Sequence, residues 1–411
     1  MPSVRVLSPD SAEALRLWLD QPGVRGAKRS LLARRAAGYW LGIDGMDGPT
    51  SRALQAEVHA VGGEAILAPR ADQVDALLLM TPEQCASLVT RLRGGPRALA
   101  RWGADIAAAL RSAARPPLPL VLGGRHLDFS RRAYVDAVVN VTPDSFYDGG
   151  RHATVPAAVD YALRMVEQGA DLLEIGGESA GPGKQVSAQE EVDRVAPVIE
   201  ALVRRTDVPI SIDTRRYEVA RVAVEAGAHI VNDTQSLADP RMVQLAAERN
   251  VGLVLMHFPG RPGELPRRWR YHDLMAHMAS FLWERADRAR RAGVLRSRII
   301  IDPGIGFHKT DAHDLEVLRR LPELKSLGYA IMLGTSNRGF LGWATGLPVG
   351  ERVEATAATV AYGIAQGAHI VRVHNVKELA RIVHMMAAVL TGRPSSAPNT
   401  DRAPALPVGR R

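Results

Sequence analysis

A single cysteine, Cys85, is present in 411 residues, which excludes an internal disulfide and any cysteine-rich metal site. Aromatic residues make up only 5% of the chain, too few to suggest a base-stacking surface. No apolar run approaches the ~20 residues of a membrane span, and the opening MPSVRVLSPD has no apolar signal region. The expectation is a cytoplasmic protein with no membrane partner. Lysine is scarce too: five of the 52 basic residues (28, 184, 309, 325 and 377), the other 47 being arginine. The net charge of +8 could signal nucleic acid or an anionic small substrate. The arginines are scattered among Glu and Asp along helical patterns, however. They read as a solvated basic surface, with no nucleic-acid partner.

What is present is regularity. Residues 1–115 alternate short apolar runs (VRVL, YWLGI, EAILAP, ALLLM) with helical patterns, the signature of a small α/β domain. Residues 116–133, PPLPLVLGGRHLDFSRRA, read as a linker because prolines and paired glycines break the periodicity. Residues 393–411 have little to bury and read as a disordered tail. Between them, 134–392 hold eight apolar runs of strand length, each followed by polar or glycine-rich residues and then a helical pattern. The runs are VDAVVN, DLLEI, PISID, HIVND, GLVLMH, RIIID, YAIMLG and HIVRVH. GAHIV occurs at 227–231 and again at 367–371, each time with a glycine ending a helix before a buried strand. SAQE at 187–190 predicts a capping box, and Val192, Val195, Ile199 and Leu202 then share one helical face. Eight consecutive βα units predict a (β/α)8 TIM barrel behind a small α/β N-terminal domain.

In such barrels the active site forms at the C-terminal strand ends. Here those ends carry Asn140, Glu178, Asp213, Asn232 with Asp233, His257, Asp302, Ser336 with Arg338, and Arg372 with His374. A strand-end Asp or Asn is also what a helix N-cap needs, and His257 is compatible with a packed imidazole. Polar residues at all eight ends together read as a site. Asp213, Asn232 and Asp302 can pair with the edge of a flat amino-pyrimidinone ring, much as carboxylates pair with guanidinium. Arg338 and Arg372 lie on the loops where barrels commonly hold phosphate. Asn140 offers a hard oxygen to a magnesium ion that already carries phosphate oxygens. A heterocycle joined to a phosphate is the ligand these residue types describe.

The motifs VVNVTPDSFYDGG (138–150), GGESAGPG (176–183), SIDTRRYEVA (211–220), IVNDTQS (230–236), MHFPGRP (256–262), IIIDPGIGFHK (299–309), LGTSNRGF (333–340) and VRVHNV (371–376) resemble, in order, those of dihydropteroate synthases. The N-terminal extension resembles the additional domain of some members. The resemblance implies a TIM barrel that joins para-aminobenzoate to 6-hydroxymethyl-7,8-dihydropterin pyrophosphate with Mg²⁺, releases pyrophosphate, is a sulfonamide target and forms a homodimer. It implies that Asp213, Asn232, Met256, Asp302, Phe307 and Arg338 bind the pterin, with Asp213, Asp302 and Arg338 catalytic. Asn140, Arg372 and His374 would hold pyrophosphate, Asn140 through the metal. Asp144, Ser145, Phe146, Ser179 and Pro182 would form the aminobenzoate loops.

Three departures stand out against that family. The usual Glu-Ser-Thr-Arg-Pro-Gly is Glu178-Ser179-Ala180-Gly181-Pro182-Gly183, losing a threonine and an arginine. The usual Ser-Arg-Lys is Ser336-Asn337-Arg338, and the usual glycine before Lys309 is His308. Lys184, Arg215 and Arg216 are the candidates to replace the lost cation, with an ordinary exposed cation as the alternative for each. A pterin-binding paralogue with another arylamine, or with no synthase activity, is the competing expectation.

Overall fold

The computed structural model describes residues 3–7, 38–70, 72–141, 154–178, 186–260 and 270–394. The N-terminal unit is a four-stranded antiparallel sheet of β1 (Ser3–Leu7), β2 (Tyr39–Met46), β3 (Glu64–Pro69) and β4 (Val74–Met80), in the order β1-β2-β4-β3. Three helices, Gly48–Ala60, Pro82–Gly94 and Arg97–Ala114, belong to the same unit. Asp47 caps the first by accepting from the Thr50 amide, and Thr81 with Gln84 forms a full capping box on the second. Leu41, Ile43, Leu54, Leu78, Leu88, Trp102 and Ile106 form this unit's own core, into which Cys85 is packed. Burial pushes the Cys85 thiol up to about 12, so it behaves as a small hydrophobe.

The stretch read as a linker contains a hairpin, β5 (Leu120–Leu122) with β6 (Arg125–Leu127). The paired glycines are its two-residue turn: Gly123 and Gly124 both take positive φ, 54° and 81°, as a twist-matched hairpin turn requires. Leu120, Leu122, Leu127 and Phe129 pack against Leu172, Ile230, Val254, Ile300, Met332 and Ile370 from inside the barrel. The hairpin therefore plugs the N-terminal end of the barrel, opposite the candidate site.

The barrel closes as β7 (Tyr134–Asn140), β8 (Leu172–Gly176), β9 (Ile210–Thr214), β10 (Ile230–Asp233), β11 (Gly252–Met256), β12 (Ile299–Asp302), β13 (Ala330–Leu333) and β14 (Ile370–Val373), with β14 returning to β7. All eight are parallel pairs. The repeated GAHIV serves one purpose twice. Gly227 and Gly367, at φ 110° and 105°, end their helices, and the next-but-one residues His229 and His369 accept the backbone N–H of Ile210 and Ile331 from adjacent strands. At SAQE only half of the predicted box forms. Ser187 accepts from the Glu190 amide at 3.1 Å, while the Glu190 carboxylate pairs with Arg194. Val195, Ile199 and Leu202 are buried on the predicted face, with Val192 partly so.

The N-terminal unit is tied to the barrel by buried charge. Arg5 on β1 is fully buried and pairs with Asp44, with Asp273 at 2.8 Å and with Glu323 at 3.4 Å. Arg320 completes the cluster through Glu323, Asp273 and Glu316. Asp273 also caps the barrel helix Leu274–Arg291, accepting from the amides of Met275 and Ala276. No helix among the described residues is long and apolar enough to cross a membrane.

Candidate active site

Strand alternation sends every second side chain inward. On β9 the outward Ile210 and Ile212 join the helix-packed core, which turns Ser211 and Asp213 into the barrel. The same parity turns Asp136, Val138 and Asn140 inward on β7, Glu174 on β8, Asn232 on β10, Met256 on β11, Asp302 on β12 and Arg372 on β14. The registers set Asp213 beside Asn232 and Met256 beside Asp302. Of the strand-end residues predicted from sequence, Asn140, Asp213, Asn232, Asp302 and Arg372 are thus turned to one mouth.

A buried network links them. Arg372 donates to Asp302 at 3.0 Å and, more distantly, to Glu174 at 3.5 Å. Asn232 donates its Nδ2 to Glu174 at 2.9 Å. With its amide nitrogen so used, the buried Asn232 Oδ1 has no donor among the described residues. The Asp213 carboxylate, half-buried, makes no hydrogen bond among them either. Burial, with Glu174 adding to it, pushes Asp213 up to about 8 against the pull of Arg372. Gly334 makes room for the network: a Cβ there would stand 3.0 Å from the Arg372 guanidinium.

Loop six, after β12, is folded by Asp302 and Lys309. Asp302 accepts from the Gly304 amide at 2.7 Å. The Lys309 ammonium donates to the carbonyls of Gly304 (2.9 Å) and Phe307 (3.1 Å), and His257 Nδ1 accepts from it at 3.0 Å. Burial pulls Lys309 down to about 7, opposed by Asp314 and Asp302. Gly304 and Gly306 take φ of 66° and 81°, and His308 takes 49°. That left-handed backbone accounts for the glycine usual at position 308; here the histidine adopts it and packs edge-on to Phe258 at 4.5 Å. The loop holds Phe307 under Arg338, whose guanidinium lies 4.6 Å from the ring centroid. Met256 is buried below, beside Gly304. Replacing Lys309 with methionine removes its hydrogen bonds to the Gly304 and Phe307 carbonyls of this loop and to His257. The expected outcome is ligand binding at this mouth weakened about tenfold, read by titration.

Ser336 and His374 form a second pair. Ser336 Oγ accepts the His374 backbone N–H at 3.3 Å and lies 2.9 Å from Nδ1. The hydroxyl hydrogen can then donate to Nδ1, which leaves the ring proton on Nε2 as a donor. Burial, with Arg338 and Arg372 nearby, takes His374 down to about 4, so it acts as a neutral donor. Asn140 is half-buried with Oδ1 against Gly176.

Other candidates resolve differently. Asp233 accepts from the amides of Gln235 and Leu237 and shapes its own loop, while the helix that follows is capped by Asp239. His257 is buried between Lys309 and His277, a packed imidazole. Arg216 is paired with Glu178 and Glu191 and donates to the Val186 carbonyl, and Arg215 also pairs with Glu178. Neither is an available replacement for the missing arginine. Asn337 sits at φ 59°, a conformation asparagine tolerates well, and Arg352 binds the carbonyls of Asn337 and Arg338. Asp144, Ser145, Phe146, Ser179, Ala180, Gly181, Pro182 and Lys184 lie outside the described residues. Reading the strand ends alone misses Asp136, Glu174 and Lys309. A carboxylate inside the runs VDAVVN and DLLEI, at the parity of the strand's own polar end, is the signal that marks the first two.

The family model described as "Pterin binding enzyme" matches residues 137–374. A dihydropteroate synthase of Synechocystis sp. is 44% identical over 276 residues, covering 66% of this chain and 96% of that protein. The crystal structure of Yersinia pestis dihydropteroate synthase with a sulfonamide drug complex matches at TM-score 0.63 and 38% identity, covering 67% of this chain and all of that one. A probable bifunctional folylpolyglutamate synthase/dihydropteroate synthase of Haloferax volcanii is 36% identical over 395 residues, 91% of this chain and 46% of that protein. That last match reaches beyond the barrel into the N-terminal unit. The matched span runs across the barrel strands whose inward ends form this mouth, and the chain belongs to the dihydropteroate synthase family of pterin-binding enzymes.

Proposed function

We propose that this chain is a cytoplasmic dihydropteroate synthase, joining 6-hydroxymethyl-7,8-dihydropterin pyrophosphate to para-aminobenzoate with release of pyrophosphate. One observation carries the reading. The buried Asn232 Oδ1 is an acceptor without a donor among the described residues, with the Asp213 carboxyl beside it across β9 and β10, at a mouth lined by Arg338, Arg372 and His374. The 2-amino and N3–H edge of a pterin supplies donors to both, and the cations meet its pyrophosphate. Met256 and Phe307 flank the ring. As the C–O bond breaks, positive charge develops on the pterin methylene; Asp213 and Asp302 stabilise it, while Arg338, Arg372 and the Nε2–H of His374 stabilise the departing phosphate oxygens. Asp144, Ser145, Phe146, Ser179 and Pro182 receive the aminobenzoate.

Among the described residues no three His, Cys, Asp or Glu side chains could together hold a metal. Asn140, with one hard oxygen at the mouth, fits a Mg²⁺ that arrives on the pyrophosphate oxygens and supplies charge neutralisation there. The barrel's last two helices, Val353–Ala365 and Val376–Thr391, expose Tyr362, Met385, Val389 and Leu390, which suits a homodimer.

The test is turnover of dihydropterin pyrophosphate, Mg²⁺ and para-aminobenzoate, following dihydropteroate and pyrophosphate, beside a titration with pterin alone. Pterin binding without product would favour the paralogue. Asp213 adds a pH signature. A carboxyl held up at about 8 is protonated in the free protein at pH 7, and pairing with the pterin edge requires its anion. Binding therefore releases close to one proton below pH 8, and affinity rises with pH toward 8. Calorimetry in buffers of different ionisation enthalpy reads that proton; Asp213→Asn abolishes its release, and wild-type binding without it counts against the pairing.

A further inference from the structure

Among the described residues the barrel interior holds two carboxyls that take no direct part in the reaction, Glu174 and, deeper, Asp136. Asp136 stands in the middle of β7, fully buried, below Asn140 on the same face. Neither of its oxygens has a hydrogen-bond donor among the described residues. An ionised carboxylate without donors is among the costliest groups an interior can contain. The nearest acid in the register is another carboxyl, Glu174 on the adjacent strand β8, two steps along on the same inward face and within reach of a hydrogen bond from it. Two carboxylates cannot bond to one another without a proton between them. Glu174 is already an acceptor, taking the Asn232 Nδ2–H at 2.9 Å and facing Arg372 at 3.5 Å. The donor of the pair is therefore Asp136.

We propose that Asp136 is a positioning residue held in its neutral form, donating its hydroxyl hydrogen to Glu174 and so fixing the Glu174–Asn232–Arg372 network that presents the pterin-binding face. The inference rests on the pterin reading of this pocket. Glu174 needs three partners to stay in place, and Asp136 supplies the one from beneath. So held, Glu174 keeps the Asn232 amide nitrogen occupied and Oδ1 turned to the ligand. It also keeps Arg372 between two acids, Glu174 and Asp302, rather than collapsed onto one. The charged groups facing the pair are Arg372 from β14, Asp213 from β9 and Asp302 from β12. Burial first, then Glu174, raises the Asp136 carboxyl well above the ordinary range, and Arg372 only partly offsets them. Loss of this proton at high pH puts two anions in contact and weakens pterin binding.

Three measurements on the full chain test this. Infrared spectra of the free protein above pH 8 should show a protonated-carboxyl band that survives in Asp213→Asn and vanishes in Asp136→Asn. Asp136→Leu, which removes the donor, should raise the pterin KM or dissociation constant about 10- to 100-fold with a smaller change in kcat. Asp136→Asn, whose amide donates the same hydrogen bond without a titratable proton, should restore affinity to within about threefold of wild type and remove the high-pH loss of binding. If the leucine variant does not fold, the infrared band and the asparagine pH profile decide. No Asp136-dependent band, or an asparagine variant that keeps the high-pH loss, overturns the assignment. Failure of the wild type to bind any pterin would instead defeat the proposed function, and the band would still report the state of Asp136.

Discussion

Replacing Arg5 with alanine lowers the stability of the folded chain by about 3–5 kcal/mol, the cost of leaving a buried ion cluster without one of its cations. Arg5 and Arg320 face four carboxylates, Asp44, Asp273, Glu316 and Glu323, and Arg5 and Glu323 have no solvent exposure. Without Arg5 a single guanidinium faces the four acids. The loss falls at the junction between the N-terminal sheet and the barrel, because Asp44 belongs to β2 whereas Asp273 and Glu323 belong to the barrel. The effect carries a pH signature. Burial alone would raise Asp273, but Arg5 and Arg320 outweigh it and hold it down at about 2. A depressed carboxyl contributes stability above its unfolded value near 4, and that contribution disappears as pH falls toward 2. In Arg5→Ala the acid loss shrinks and moves to higher pH. Urea unfolding at pH 7 and at pH 3, with limited proteolysis to detect release of the N-terminal unit, measures both effects. A change below about 1 kcal/mol at pH 7 would mean the cluster is not what docks the two units.

Much of the fold was legible because closed parallel barrels write themselves twice into a sequence. The eight strands are buried on both sides and appear as short apolar runs, and helices before strands end on glycines such as Gly227 or Gly367 whose positive φ only that residue takes without strain. The strand ends were legible for the related reason that polar residues at the mouth interrupt those runs. The remainder depends on long-range packing. LVLGGRHL carries a readable turn, but nothing local says that its apolar face fills the bottom of a barrel. Arg215 and Arg216 look like available cations in sequence; their capture by Glu178 and Glu191 involves residues 25 to 38 positions away. Asp136 and Glu174 were hidden differently. Each looks like an ordinary polar residue in a strand, and only closure of the sheet turns both into one enclosed space.

Removing the Arg372 guanidinium is the substitution with the largest expected effect on activity. Arg372→Met should lower kcat/KM by about 10³-fold or more, because two separate contributions are lost. The first is electrostatic. Among the described residues Arg372 is the cation that reaches both Asp302 and Glu174, and without it Asp136, Glu174, Asp213 and Asp302 crowd the pocket floor with Arg338 and Lys309 as the positive groups that remain there. A dianionic leaving group would then meet a mouth that has lost part of its positive field. The second is geometric. Asp302 both anchors the Gly304 amide and receives Arg372, so freeing one side of that carboxylate loosens the loop that carries Phe307. Arg372→Lys separates the two. An ammonium restores one charge but cannot span two carboxylates as the planar guanidinium does. It should recover most of the pyrophosphate interaction while leaving Glu174 or Asp302 unpaired, with kcat/KM down about 10- to 100-fold. Steady-state kinetics of the three proteins, alongside pterin titrations and thermal unfolding to confirm folding, distinguishes these outcomes. Turnover of Arg372→Met within about threefold of wild type would exclude the Asp302–Arg372–Glu174 bridge from the catalytic machinery and leave the departing phosphate to Arg338 and His374 alone.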